Sequence, residues 1–306
     1  MTVIVRDFRP ADGEGWVRVR RAALPFMVTT PEQVAFDLAH AHPDKRFRLL
    51  VAEEDGEVIG TAQVGIAYDA DEPGQGFLNP YVHPGHQGRG VGTLITQAGE
   101  AHLAEAGATA VYTWVLDEPA NRTFAERRGY RPSRAAHFLH FDLAGTPLPT
   151  PRRAPEGVEL CTAADFADDP RPLFEADAEV TADEPSDVST VLSDYDDWLD
   201  HTWRNPALDH DLTSVAVVGG EVAAFSAAQT DGLTRYWSGM TGTRRAHRGR
   251  GLAKLVKNDS LHRARAAGYT DAYTGNDAGN GPMLAINTWF GYQICATEVR
   301  HVRELG

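Results

Sequence analysis

The heptapeptide HQGRGVG at residues 86–92 and its near copy HRGRGLA at residues 247–253 decide the fold of this chain. The two copies are 161 residues apart, and two glycines further along, Gly107 and Gly268, keep the same interval. A single chance motif would not keep its register, whereas a duplicated unit does. The chain is therefore an internal duplication.

The length of 306 residues suits two domains of ordinary size, each large enough to bury its own core. Four prolines lie between Thr146 and Gly157, where they disfavour helix and central strand and favour an extended connector. We therefore predict an N-terminal domain at residues 1–148, a proline-rich linker at residues 149–157 and a C-terminal domain at residues 158–306.

The composition is that of a globular protein, with 42% hydrophobic and 24% charged residues. Because no apolar run could span a bilayer and the polar start lacks a signal-peptide core, we expect a cytoplasmic protein without a membrane partner. The net charge of −14 disfavours nucleic acid, which is bound through lysine and arginine. Cys161 and Cys295 lack metal-ligand spacing and a close partner, so we expect no metal and no disulfide. Either a monomer or a homodimer fits these features.

Each half of the sequence predicts the same order of elements: strand, two short helices, hairpin, strand, glycine turn, long helix, strand, short helix and last strand. The predicted hairpins turn at Asp55-Gly56 and at Gly219-Gly220. The long helices are predicted at residues 91–106 and 252–267, where apolar residues recur with helical period. We predict a mixed α/β (α+β) fold in which each domain has a mostly antiparallel sheet flanked by helices.

The glycine turn between strand and long helix predicts a phosphate site. Backbone N–H groups and the positive end of a helix dipole meet at one point there, and glycine allows close approach of a ligand. A plain strand-to-helix turn without a ligand would explain one glycine motif. It is a poor explanation for two such motifs at equivalent positions of the repeat. A P-loop would end in Gly-Lys-Ser/Thr, and a dinucleotide fingerprint would need a glycine or alanine where Thr93 and Lys254 stand, so both motifs fit poorly.

The pattern that does fit is Gln/Arg-x-x-Gly-x-Gly/Ala, found as QGRGVG at 87–92 and as RGRGLA at 248–253. In these residues the sequence resembles the GNAT N-acetyltransferase superfamily, and the resemblance extends over the order of elements and the closing FAERRGY and WFGY segments. The arrangement as a whole is similar to tandem GNAT proteins of actinobacterial type, such as mycothiol synthase.

The resemblance implies acetyl-CoA as the co-substrate. The strand ends near Tyr81-Val82 and Met240-Thr241 would pair with its pantetheine arm, and Asn121 in the first half, with Asn276 or Asn280 in the second, would bind near the thiol. Backbone amides of the two turns would hold its pyrophosphate. The turn residues concerned are Gln87, Gly88, Arg89, Gly90, Val91, Gly92 and Thr93, and Arg248, Gly249, Arg250, Gly251, Leu252, Ala253 and Lys254.

The implied reaction is direct attack of an amine on the thioester, which needs a base, a carbonyl-polarising donor and an acid for the thiolate. The chain departs from the family here, because the position of the usual tyrosine acid holds Ala125 in the first half and Asn287 in the second. The strand before each turn also lacks the glutamate that many relatives use as base. Candidate catalytic residues are Asn287, Asp277, Tyr236 and Tyr273 in the second half, and Asp117 and Tyr112 in the first.

We expect the second half to be catalytic, because the segment that would cover its acceptor pocket is acidic and aromatic. Between Asp165 and Asp211 there are 15 acidic and two basic residues, together with Tyr195, Trp198 and Trp203. This composition favours a small cationic primary amine, such as an amino sugar, a polyamine or an amine-bearing natural product. Two alternatives stay open: another acyl donor (a different acyl-CoA or an aminoacyl-tRNA), or a non-catalytic module that binds acetyl-CoA.

Overall fold

The structure is a computed structural model that describes residues 2–70, 72–151, 153–184 and 192–305. Contacts divide the chain into two compact units, Met1–Ala136 with Ala296–Gly306, and His137–Cys295. None of the helices in the described ranges is long and apolar enough to cross a membrane.

The order of elements predicted for each half is confirmed. The first half contains β1 (Ile4–Asp7), α1 (Gly13–Ala23), α2 (Pro31–Ala39), β2 (Arg48–Glu54), β3 (Glu57–Ile66), β4 (Gln75–Val82), α3 (Val91–Glu105), β5 (Ala110–Leu116), α4 (Pro119–Glu126) and β6 (Arg131–Asp142). The second half contains β7 (Val158–Thr162), α5 (Arg171–Thr181), α6 (Tyr195–Trp198), β8 (Ser214–Val218), β9 (Glu221–Thr230), β10 (Arg235–Thr243), α7 (Leu252–Ala266), β11 (Asp271–Asp277), α8 (Gly281–Phe290) and β12 (Gln293–Glu304).

Local sequence explains where these elements turn and begin. Both predicted hairpin turns are observed, with two consecutive residues of positive φ: 52° and 84° at Asp55 and Gly56, and 60° and 86° at Gly219 and Gly220. At the start of α2, Thr30 accepts a hydrogen bond from the backbone N–H of Gln33, the usual side-chain cap of a helix N-terminus.

Within each unit the sheet is mostly antiparallel, as predicted. In the first unit β1 to β4 pair antiparallel in sequence order, and β4 pairs parallel with β5. In the second unit β7 to β10 repeat this arrangement, and β10 pairs parallel with β11. Each parallel pairing covers only three residues, which are Gln75–Phe77 in β4 and Arg235–Trp237 in β10. Beyond them the two strands diverge and leave a wedge in each sheet.

The last strands do not follow the division of the sequence into halves. In the first unit, residues 298–304 of β12 pair antiparallel with β5, and residues 137–142 of β6 belong to the second unit. The described residues of the proline-rich segment have no helix or strand, as expected, but lie in the second unit, where Asn258 of α7 donates to the carbonyl of Thr150. The compact units thus differ from the domain bounds 1–148 and 158–306, which stay a prediction about the repeats.

In the first unit one core lies between the strands and α3. Leu50, Ile59 and Leu78 of β2 to β4 pack there with Ile95 and Leu103, all at most 2% exposed. These residues follow period 2 in the strands and helical period in α3, so burial selects the face of each element. The core therefore holds α3, and with it the glycine turn at its start, against the sheet.

Candidate active site

The two glycine turns have the same backbone shape. Gly88 and Gly90 have φ values of 73° and 85°, and Gly249 and Gly251 have values of 76° and 75°. Side chains rarely adopt these angles, so the conformation itself favours glycine. An added Cβ at any of the four would meet no atom within 4 Å. Each turn therefore faces open space, which a ligand can approach as far as the backbone.

Each turn leads directly into a helix whose first amides have no side-chain cap in the described residues. The first intrahelical bonds run from Leu94 to the carbonyl of Gly90 and from Leu255 to that of Gly251, both at 3.1 Å. The preceding N–H groups point out of the helix end, where the dipole favours negative charge. The two turns, residues 87–93 and 248–254, fit a pyrophosphate, and we refer to them as the first and second cradles.

The arginines of the cradles are engaged by other protein groups. Arg89 donates to the buried carboxylate of Glu54 at 2.6 Å, and Arg250 donates to the ring of His247 at 3.2 Å. Arg248 donates to Asp183. The backbone amides, rather than these guanidinium groups, are left for a phosphate.

The remaining cradle residues differ in what their side chains can reach. Val91 and Leu252 are each 1% exposed, so their side chains do not reach a ligand. Thr93 accepts a hydrogen bond from Arg128, whereas the amine of Lys254 lies 4.6 Å from the ring centroid of Trp289. Gly92 and Ala253 share the small size that the first turn of the helix allows: a Cβ at Gly92 would lie 3.3 Å from the ring of Phe124.

A cavity lies in each wedge beside its cradle. The first has a volume of about 440 Å³ and the second of about 540 Å³. The structure brings most of the predicted cofactor residues other than the turn glycines to these cavities. Val82, Gln87 and Asn121 line the first cavity, and Thr241, Arg248, Ala253, Asn276 and Asn280 line the second.

The strand end predicted at Met240-Thr241 is wrong by two residues, because β10 continues to Thr243. Thr243 pairs with Ala224 of β9 as Val82 pairs with Gly60 of β3, so Thr243 is the true counterpart of Val82. The 161-residue interval between the copies, applied to Val82, would have predicted Thr243 from the sequence.

A β-bulge distinguishes the second wedge from the first, and the sequence analysis missed it. The pairing of β10 with β9 shifts register between Ser238 and Thr241, whereas β4 pairs with β3 without a shift from Gly76 to Val82. Gly239 and Met240, the residues at the shift, line the second cavity. Gly239, a glycine inside a strand, is the sequence signal that could have indicated the bulge.

The predicted catalytic residues of the second half lie at different depths. Asn287 is fully buried and donates from Nδ2 to Oδ1 of Asn276, a cavity residue, at 2.5 Å. Tyr236 is also fully buried, shares a hydrogen bond of 2.7 Å with Ser260, and has its pKa raised to about 12 by burial. Of Asn276, Asn287 and Tyr236, only Asn276 lines the cavity. Asn287 contacts the cavity only through its hydrogen bond to Asn276.

The other candidate catalytic residues contact neighbouring protein groups. Asp277 accepts a hydrogen bond from the N–H of Gly279 at 2.7 Å, and burial raises the pKa of Tyr273, whose ring lies 4.8 Å from that of His140. In the first unit, Asp117 is paired with Arg122 at 3.0 Å. Ala125 lines the first cavity and brings no hydroxyl to it.

The acidic segment does not present its aromatic residues to the second cavity. Trp198 and Trp203 are at most 9% exposed and pack in a core cluster, where Trp198 donates to Asp177 at 2.8 Å. Asp183 does line the cavity, but it is paired with Arg245 and Arg248. Asp187 belongs to the same predicted segment and lies outside the described residues.

The first unit contains a half-buried carboxyl group that sequence reasoning did not single out. Glu298 of β12 is placed near Arg20 and Tyr81, and burial raises the pKa of its carboxyl to about 7 although Arg20 lowers it. The guanidinium of Arg20 lies 4.4 Å over the ring of Tyr81, which lines the first cavity. No signal in the local sequence could reveal this group, since Glu298 reaches it only through strand pairing.

Cys161 and Cys295 are free cysteines, and the described part of the chain contains no group of histidine, cysteine and carboxylate side chains suited to a metal.

The family profile and the related sequences both indicate an acetyltransferase family. The profile of the acetyltransferase (GNAT) family matches residues 15–130. The mycothiol acetyltransferase of Clavibacter sepedonicus is 31% identical over 72% of this chain and 71% of its own length, and that of Nocardia farcinica is 30% identical over 79% and 77%. The mycothiol acetyltransferase of Clavibacter michiganensis subsp. michiganensis is 29% identical over 85% of each chain.

Solved structures share the fold along the whole chain. A tandem GNAT protein from the clavulanic acid biosynthesis pathway superposes with a TM-score of 0.74 at 18% identity, covering 100% of this chain and 99% of the other. A GCN5-related N-acetyltransferase from Sphaerobacter thermophilus has a TM-score of 0.72 at 25% identity, with 99% and 95% covered.

Proposed function

Because this chain belongs to the GNAT family of acetyltransferases, and is thereby an acyltransferase, we propose that its second unit transfers the acetyl group of acetyl-CoA to a small primary amine. The bulge between Ser238 and Thr241 carries this assignment. A bulge interrupts the ladder of strand hydrogen bonds and re-aims the backbone, so N–H groups at Gly239 and Met240 can face the cavity. Such donors stabilise the oxyanion that forms when an amine attacks a thioester.

The cradles fit the pyrophosphate of coenzyme A, as the open space before each glycine and the uncapped helix amides indicate. In the second unit the amides of residues 249–254 would hold the diphosphate, and the diverging end of β10 near Thr243 would pair with the pantetheine arm. Bound there, the co-substrate supplies an activated acetyl thioester at the wedge.

The residues of the second cavity would then orient the amine and polarise the carbonyl. The backbone at Gly239 and Met240 donates to the developing oxyanion, and the Asn276–Asn287 pair offers amide groups at the inner end of the cavity. Asp183 and Glu184 are the carboxylates among the lining residues of the described chain, and they lie beyond the end of α5. The amine therefore loses its proton either to solvent or to one of these two carboxylates.

The relatives support a small acceptor. Several are mycothiol acetyltransferases. We propose as the substrate mycothiol without its acetyl group, or a similar small primary amine. Most primary amines are cations in neutral solution, and the net charge of −14 favours their approach, although the aromatic residues of the acidic segment do not contribute.

A direct test is release of free coenzyme A from acetyl-CoA in the presence of mycothiol lacking its acetyl group, glucosamine or spermidine. Turnover with the first two and not with spermidine supports the proposed acceptor, and turnover with spermidine alone contradicts it.

A non-catalytic module that binds acetyl-CoA is the second candidate, because Ala125 and Asn287 leave both units without a tyrosine at the usual position. Tight binding of acetyl-CoA without turnover of any of the three amines or of propionyl-CoA favours this alternative.

A further inference from the structure

The first cavity reaches into the core of the first unit. Leu78, Ala125 and Tyr130 line it, belong to the core cluster, and are at most 4% exposed. Thr96 of α3, also a lining residue, is 3% exposed. Intervals of 161 residues for α3 and 162 for α4 give the second-unit counterparts of Thr96, Ala125 and Tyr130, which do not line the second cavity: Lys257, Asn287 and Tyr292. The second cavity therefore does not extend to the corresponding place.

Contacts along α3 show the course of the first cavity. Gly92, Thr96 and Gly99 share one face of the helix by their spacing of four and three residues. A Cβ at Gly92 would lie 3.3 Å from the ring of Phe124, and Leu78 packs against Gly99. Phe124 and Leu78 line the cavity, as Thr96 does between them. The cavity therefore runs from the first cradle, which contains Gly92, along α3 into the core.

The strands that line the two cavities differ in polarity at matched positions. Three lining residues of β4 and three of β10 pair with residues of β3 and β9 that lie eight, six and four positions beyond Gly56 and Gly220. In that order they are Leu78, Pro80 and Val82 in the first unit, and Ser238, Thr241 and Thr243 in the second.

The neighbouring strands show the same difference. The 161-residue interval matches Val115 of β5 with Asn276 of β11, and both line their cavities. At all four matched strand positions the residue is thus apolar in the first cavity and polar in the second. Apolar walls gain free energy by taking an apolar ligand group out of water. The first cavity therefore suits a more apolar ligand than the second.

Thr96 offers such a ligand an unused polar atom. Its Oγ1 is buried and has no hydrogen-bond partner in the described residues. Buried hydroxyls are almost always paired in native proteins, so an unpaired one in a cavity wall indicates a ligand atom. A thioester carbonyl can accept this hydrogen bond, and the chain attached to it would meet the apolar walls.

The backbone of β4 does not favour transfer of an acyl group. This strand, which the structure describes in full, pairs with β3 without a register shift from Gly76 to Val82. Pro80 lines the cavity and has no backbone N–H. The first wedge therefore lacks the bulge donors at Gly239 and Met240 on which the proposed transfer in the second unit depends.

We propose that the first cavity binds a coenzyme A thioester whose acyl chain is apolar and longer than acetyl, such as butyryl or hexanoyl, and holds it without transfer. This inference rests on the proposed binding of coenzyme A by the first cradle. It assigns different ligands to the two cradles: a longer acyl thioester to the first and acetyl-CoA to the second.

Calorimetry on Gly251→Glu, in which the second cradle is blocked, measures the first site by itself. Each methylene that becomes buried should tighten binding by about fourfold. Butyryl-CoA should therefore bind about 15-fold more tightly than acetyl-CoA, and hexanoyl-CoA more tightly still. Gly90→Glu is the matched control, because it leaves only the polar second cavity and should show no gain with chain length.

A second variant tests the cavity wall. In the Gly251→Glu background, Val115→Asn copies the residue of the second cavity and should reduce the gain for butyryl-CoA to less than about fivefold, because the buried amide disfavours an apolar chain. Val5→Asn makes the same change at another partly buried strand valine of this core, outside the cavity, and should leave the gain unchanged. An unchanged gain in Val115→Asn would overturn the proposed place of the chain.

Other outcomes separate this proposal from the one on which it rests. Equal or weaker binding of butyryl-CoA and hexanoyl-CoA than of acetyl-CoA by Gly251→Glu would overturn the ligand class while leaving the cradle in place. Release of free coenzyme A from butyryl-CoA by this variant in the presence of glucosamine would overturn binding without transfer. Absence of acetyl transfer by the wild-type protein, with the gain for longer chains intact, would instead overturn only the proposed function of the second unit.

Discussion

Asp183, just beyond the end of α5, is held by Arg245 and Arg248: Arg245 Nη2 donates to its Oδ1 at 2.6 Å, and Arg248 donates to its Oδ2. Arg248 is the first residue of the second cradle, so the carboxylate lies where a phosphate of the proposed co-substrate would compete for the same donors. The two arginines hold the pKa of Asp183 down to about 2, and it is therefore ionised throughout the physiological range.

Replacing Asp183 with asparagine should tighten binding of acetyl-CoA, because both arginines become available to a phosphate. Exposed ion pairs are weak, so we expect the Kd for acetyl-CoA to fall by only about two- to fivefold, measured by calorimetry at low salt. Asp200→Asn removes a similar exposed pair with Arg204 outside the cradle and should leave Kd unchanged. Weaker binding in Asp183→Asn would show that its negative charge supports the site instead.

Gly251→Glu should abolish turnover, because the carboxylate would fill the open space of the second cradle and repel a diphosphate. Gly90→Glu should be tolerated for turnover. Gly268→Glu is the matched control, since it places the same side chain at positive φ, 96° against 75°, beyond the other end of α7. Each change carries a backbone strain of ~1–2 kcal/mol.

The measurement for these variants is kcat/KM for acetyl-CoA together with direct binding. The opposite pattern, with activity lost in Gly90→Glu and kept in Gly251→Glu, would assign catalysis to the first unit.

Replacing Glu298 with glutamine should change how stability depends on pH. The carboxyl has an ordinary pKa of 4.5 and about 7 in the folded state. Below pH 4.5 both states are protonated. Between these values the unfolded chain loses the proton and the folded one keeps it, so stability falls as the pH rises to about 7. The full loss is about 3 kcal/mol.

Thermal unfolding at pH 5 and pH 8 checks this effect. The wild-type protein should melt at a lower temperature at pH 8, and Glu298→Gln should reduce that difference. An equal pH dependence in both proteins would contradict the assigned burial of the carboxyl.

Ending the chain at Cys295 should destabilise the first unit selectively. The truncation removes residues 298–304, which pair with Ala110–Leu116 of β5, and leaves an unpaired edge there. By hydrogen exchange, we expect amides of β5 to lose protection while those of the β8–β9 hairpin keep it. Equal loss in both units, or loss confined to β8 and β9, would contradict this assignment of β12.

Much of the candidate site could be predicted from the sequence because it is built from local structure. The cradles depend on glycines at positive φ before a helix, and Gly88, Gly90, Gly249 and Gly251 are all found in that state. The hairpin turns and the starts of α3 and α7 follow from turn chemistry and helical period in the same way. The family resemblance then identified the motif that these elements form.

The catalytic residues were harder to predict, because residue type does not reveal the direction of a side chain. Tyr236 looked like a candidate acid or base, yet it shares its hydroxyl with Ser260 inside the core. Asn287 looked like a catalytic donor, yet it is fully buried and reaches the cavity only through its hydrogen bond to Asn276.

By itself, the sequence determined the duplication, the order of elements and the two cradles, since each arises from residues close together in the chain. Only the tertiary structure decided the register of β10 on β9 and the pairing of β12 with β5. These features depend on which distant strands pair and in which register. That choice is made by burial and hydrogen bonding over the whole unit, so a local signal such as Gly239 can indicate a bulge but does not fix the register.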